Sequence, residues 1–198
     1  MTVSLLFAMM IFAIVGATTP GPVNLIATST AVHQGMRASL KFVLGASLAY
    51  ALVVFLSGLL MQNIMTTLPK IEIAMQVAGS FLILYLAFKI LTAPISPINA
   101  QINTMASFWT GVITQLINPK AWLVALSGIS LYVIGYQNQA WLLTSFTAIS
   151  LISCLLGVGT WAVLGHLLTS YLQNSTNQLQ FNRVMAGLLA ISVCMIWL

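Results

Sequence analysis

Long apolar runs constrain this chain more than any other feature, because a helix needs about 20 predominantly apolar residues to cross the hydrocarbon of a bilayer. Such runs can be drawn at roughly 4–31, 39–61, 71–91, 106–133, 139–165 and 181–198. With 4% charged residues and a mean hydropathy of +1.05, the 198-residue chain carries too little polar surface for a soluble globule. The expected fold is an all-α integral membrane protein with six transmembrane helices. No basic residue precedes the first run and no small-residue cleavage pattern follows it, so the first span is expected to remain in the mature chain.

The few charges set an orientation, since Lys and Arg are retained on the cytoplasmic side of short loops. Arg37 and Lys41 lie between spans one and two, Lys89 closes span three and Arg183 opens span six, all in connections on one face. The opposite connections hold only Lys70, beside Glu72. Both termini are therefore expected outside the cytoplasm. Topology accounts for the net charge of +5, so no nucleic-acid partner is needed to explain it.

Two polar, helix-breaking segments interrupt the apolar pattern: Thr18-Thr19-Pro20-Gly21-Pro22 in span one and Asn118-Pro119-Lys120 in span four. A proline inside a helix removes a backbone hydrogen bond. Hydrocarbon supplies no water to replace it, so broken backbone at that depth is tolerated where it faces a cavity or other protein. The chain also divides into two sets of three spans, 1–91 and 108–198, around the polar connection 92–107. An odd number of spans per half inverts the second half. The breaks fall at matching positions, and paired interruptions of this kind point to a transporter site at the interface of two inverted repeats.

Thr19 before Pro20, and Asn118 before Pro119, each fit an N-cap followed by proline at the first helical position. Each break is thus expected to start a half-helix whose free N–H groups and dipole suit a carboxylate. The candidate substrate-binding residues are Thr19, Pro20, Gly21, Pro22 and Asn24 in one half, and Asn118, Pro119, Lys120 and Trp122 in the other. A lysine near a helix centre costs about 2.5–3.5 kcal/mol to insert, so Lys120 is expected to face a cavity, a partner or the substrate. The competing reading is a kink with Lys120 snorkelling to the interface.

These segments resemble the lysine and threonine exporter superfamily, the LysE/RhtB type of bacterial amino-acid efflux translocators. The similarity runs over nearly the whole chain. It is carried by Thr19-Pro20-Gly21-Pro22 with Asn24, by His33-Gln34-Gly35 with Arg37, and by Leu116-Ile117-Asn118-Pro119-Lys120-Ala121-Trp122. Tyr85 to Lys89 and Phe181 to Gly187 are lesser matches. The resemblance implies a multi-pass protein of the bacterial inner membrane that exports amino acids or related small metabolites, commonly by proton antiport. Where relatives often have a carboxylate after a glycine in span two, this chain has Tyr50, five residues after Gly45.

Glu72 is the one acidic residue in the sequence. The candidates for proton coupling are therefore Glu72, His33 and Tyr50, with a solvated pair beside Lys70 as the plainer reading of Glu72. Scarcity of acids favours a neutral zwitterionic amino acid over a cationic one. Cys154 and Cys194 lack metal-ligand or CxxC spacing and read as packing residues. No paired acids or nucleophile–base pair points to an enzyme, and no cofactor or metal is expected. The alternatives are a heavy-metal or other small-solute exporter, or a passive channel. Gly45 with Ala49, and Ser153 with Gly157, form small-residue pairs suited to close helix packing, and such faces would also allow a homodimer.

Overall fold

The computed structural model describes residues 2–93 and 107–194, with the side chains of 2, 61–72, 74, 75 and 192 outside the description. Every regular element among them is helical: α1 (Thr2–Thr18), α2 (Pro22–Gln34), α3 (Met36–Leu59), α4 (Met61–Leu91), α5 (Phe108–Leu116), α6 (Pro119–Tyr132), α7 (Gln139–Leu168) and α8 (Ser175–Cys194), with a short 3-10 turn at Tyr171–Gln173. Residues 94–106, most of the expected connection between halves, lie outside the described residues.

α3 and α7 are each long and apolar enough to cross a membrane, and α1–α2 and α5–α6 qualify if each bent pair is one span. That gives two to four candidate spans by length and composition among the described residues. The third and sixth runs read from the sequence fall in α4 and α8. In α4 the described side chains from Gln76 to Leu91 form an apolar stretch too short to count as a span by itself, and α8 begins with the polar stretch Ser175 to Gln178. Leu40, Leu44, Leu48 and Leu52, four residues apart on α3, are all exposed. An outward apolar stripe of this kind suits hydrocarbon.

The two breaks bend their helices by 59° between α1 and α2 and by 64° between α5 and α6. At the first, Gly21 is extended (φ −168°, ψ 177°) and Pro22 opens α2. Proline fits there because its missing N–H would have no intrahelical acceptor in the first turn. The expectation of Thr19 as N-cap with Pro20 at the first helical position is thereby corrected. Thr19 instead caps the end of α1, its hydroxyl donating to the Val15 carbonyl, and the helix start moves two residues on to Gly21-Pro22. At the second break Asn118 is the N-cap residue and Pro119 opens α6, as expected, although the Asn118 side chain makes no capping hydrogen bond.

α2 and α3 are joined through Gly35 alone, at φ 82°, a left-handed conformation that favours glycine. Within the bundle α3 crosses α7; α5 lies against α3, and α1 against α7; α2 packs on α7, α6 on α3, and α4 on α8. Close approach depends on small residues. A Cβ on Gly45 would overlap the Phe108 carbonyl, and one on Gly111 the Phe42 carbonyl, so α3 and α5 meet backbone to backbone. Gly157 likewise admits Ala17 of α1, and Gly165 admits the backbone of Thr28. Phe42, Val53, Val54, Ile129 and Phe146 are buried in the core, where Phe12 meets Tyr132 edge-on at 5.6 Å.

Candidate functional site

The carbonyls that end α1 and the amides that begin α2 are left unpaired by their own helices. Side chains from three helices meet the carbonyls. Asn24 Nδ2 donates to Ala17 O (3.1 Å) and Thr19 O (2.9 Å), and Trp161 Nε1 of α7 donates to Thr18 O (3.1 Å). Lys120 Nζ, from the other break, also donates to Thr19 O at 2.9 Å. Thr28 Oγ1 ties the first turns of α2 to α7 through Trp161 O at 3.0 Å.

The second break is held differently. Trp122 Nε1 donates to Leu116 O at 2.8 Å and closes the end of α5. Among the described residues the Asn118 amide reaches only Gln115 Oε1, at 3.5 Å, long for a hydrogen bond. Both amide side chains are nearly buried, yet little of their bonding capacity is spent on each other.

A cavity opens where the breaks meet. α1 and the first break contribute Gly16, Ala17, Thr19 and Gly21; α2 contributes Val23 and Asn24. The other half contributes Gln115, Asn118, Lys120, Ala121 and Val124, while Tyr50 of α3, and Cys154 and Val158 of α7, complete the lining. Small residues at Gly16, Ala17 and Gly21 leave space, and the polar groups cluster at the two helix starts. An apolar wall with a few convergent polar groups is the usual make-up of a small-molecule site.

Of the residues singled out from the sequence, Thr19, Gly21, Asn24, Asn118 and Lys120 line this one cavity, and Tyr50 joins them from α3. Pro20, Pro22 and Pro119 shape the breaks without lining it. Trp122 also stands outside the lining, because its indole is committed to the α5 terminus. His33, at the end of α2, is bonded to Asn182 of α8 at 2.8 Å and packs near Phe181, away from the lining residues. Glu72 lies in α4, and its side chain is outside the described residues.

Gln115, Cys154 and Trp161 were not singled out as site residues. A glutamine three residues before Asn118 in an apolar run is a usable signal, since a polar side chain in such a run needs a partner or a cavity. Cys154 and Trp161 had no such signal: each is an ordinary residue of an apolar span, brought to the site by the crossing of α7 over α1 and α2.

The chain matches the family model of the LysE type translocator over residues 14–197. It is 32% identical over 192 residues to a cysteine/O-acetylserine efflux protein of Salmonella typhimurium, covering 96% of this chain and 95% of the relative. The protein of the same description from Escherichia coli K12 is 31% identical over the same shares. No solved structure matches the chain significantly.

Proposed function

The chain belongs to the LysE type translocator family, and on that premise we propose that it is a secondary transporter carrying a small neutral amino acid out of the cytoplasm. The observation that carries this reading is the single cavity into which both helix breaks open, with Lys120 of one bonded to Thr19 of the other. The substrate carboxylate sits at the starts of α2 and α6, against first-turn N–H groups, the Asn118 amide and the Lys120 ammonium. Helix starts favour anions for electrostatic reasons, and a charge-assisted hydrogen bond from lysine adds orientation. The efflux of cysteine and O-acetylserine in the names of the relatives points to a neutral zwitterion of that size.

In this reading α1–α2, α3 and α4 form one three-span unit, and α5–α6, α7 and α8 form its inverted counterpart. The packing supports it. Exchanging the halves turns the α3–α5 contact into α7–α1 and the α2–α7 contact into α6–α3, while α3–α7 and α4–α8 map onto themselves. Movement of one unit against the other would open the cavity to each side in turn. Export is driven by protons entering, and of Glu72, His33 and Tyr50 only Tyr50 lines the cavity among the described side chains. The protein sits in the bacterial inner membrane with both termini outside the cytoplasm, as one membrane domain whose small-residue faces allow a homodimer.

Counterflow in proteoliposomes tests the reading. Vesicles loaded with unlabelled cysteine, O-acetylserine or other neutral amino acids should take up the labelled compound saturably, and faster under an imposed pH gradient. Asn118→Ala should lower that exchange by about tenfold or more, the consequence of losing a hydrogen bond to a charged group, with normal insertion. Absence of exchange for every amino acid in folded protein would end the proposal.

A further inference from the structure

We propose that Lys120 is a built-in stand-in for the substrate's own ammonium group, and that its displacement restricts the site to zwitterions. The proposal rests on the amino-acid reading above and adds the placement of the second substrate charge.

The end of α1 is the negative pole of a helix dipole and the natural seat for an ammonium. Three of the carbonyls there are nonetheless occupied. Ala17 O and Thr18 O are held by Asn24 and Trp161, and Thr19 O accepts from both Asn24 Nδ2 and Lys120 Nζ, each at 2.9 Å. A carbonyl oxygen has two lone pairs, so Thr19 O is full. Asn24 is 4% exposed and anchored twice, which fixes it. Lys120 reaches Thr19 on a flexible four-carbon stem and is half-buried, so it is the donor able to leave.

Among the described residues lining the cavity there is no Asp or Glu, and the other ionisable side chains there, Tyr50 and Cys154, are ordinarily uncharged at neutral pH. An entering ammonium thus finds its best acceptor at Thr19 O, where the lysine already sits. A zwitterion resolves the conflict: its ammonium takes over Thr19 O while its carboxylate receives Lys120. Every charge then has a partner. An amine lacking a carboxylate would put two ammonium groups in one cavity with no counter-charge. An acid lacking an ammonium would draw Lys120 away and leave half of Thr19 O unfilled.

Three related probes test this with purified protein under reducing conditions: cysteine, cysteamine (no carboxylate) and N-acetylcysteine (no ammonium), each titrated directly with label. Wild type should bind cysteine at least tenfold more tightly than either analogue. Lys120→Met, close in shape but uncharged, should lose about tenfold or more for cysteine and gain about tenfold for cysteamine, because the freed carbonyl now accepts the amine. Lys120→Arg should keep the wild-type ranking, showing that a cation at this position suffices.

A Lys120→Met protein that weakens for cysteine without gaining for cysteamine would reduce Lys120 to a carboxylate partner and overturn the proposal. Equal binding of cysteine and cysteamine by wild type would do the same. Because cysteamine is titrated by itself, its gain in Lys120→Met is readable even if wild type binds no cysteine. That last result would exclude cysteine as the substrate, and the amino-acid reading would then stand or fall on the counterflow panel.

Discussion

Gly21 decides how near a ligand can come to the start of α2. Its backbone is extended (φ −168°), a conformation open to any residue, so the argument for glycine here is space. A Cβ would stand 3.6 Å from Lys120 Nζ, an ordinary contact. Gly21→Ala should therefore fold and transport within about twofold of wild type, since small changes in an open space cost well under about 1 kcal/mol. Gly21→Leu should insert as well but project into the cavity and reduce counterflow below about a tenth, a factor equivalent to roughly 1.4 kcal/mol. Full activity in Gly21→Leu would show that substrate does not approach this break. Trp122 makes the contrasting point at the same scale: a residue two places from Lys120 is spent on closing α5, and proximity in sequence did not bring it to the cavity.

Between elements, glycines set the separation of helices. α3 and α5 touch through Gly45 and Gly111, each against a backbone carbonyl that has no rotamer in which to move aside. A side chain there must push the helices apart, and overpacking typically costs about 1–3 kcal/mol. Gly45→Leu should lower the thermal unfolding temperature in detergent and carry transport down with it, because α5 leads into the second break. The matching control is Gly159→Ala in α7, where an added Cβ meets nothing within 4 Å and stability should not fall. Equal unfolding temperatures for Gly45→Leu and wild type would mean that the α3–α5 approach is not held by this contact.

For the whole molecule the deciding relation is between the two breaks, 101 residues apart in sequence at Thr19 and Lys120 yet joined by one hydrogen bond. A further link between halves, His33 to Asn182, ties the end of α2 to α8. Asn182 is 1% exposed and its Nδ2 has no partner, so this link is the only side-chain bond that holds its amide in place among the described residues. Orientation belongs to this scale too. Four basic residues in connections on one face against Lys70 on the other should place both ends outside the cytoplasm. A C-terminal alkaline phosphatase fusion should then be active and the equivalent green fluorescent protein fusion dark. The reverse pattern would invert the assigned direction of every loop.

That the chain is a helical membrane protein, and where its helices break, was legible in the order of its amino acids, because hydrocarbon admits long apolar runs and makes Pro20, Pro22 and Pro119 conspicuous within them. Gly21, Asn24, Asn118 and Lys120 were marked in the same way, since polar or helix-breaking residues inside such runs need a reason. Thr19 is different: whether it starts a helix or ends one depends on its hydroxyl turning back to Val15, and that is visible only in three dimensions. The same holds for the arrival of Tyr50, Cys154 and Trp161 at one site. Tyr50 was marked only through the family resemblance, and within their own spans Cys154 and Trp161 carry no distinguishing signal. Their role comes from which helix faces meet, and that depends on packing between residues far apart in the chain.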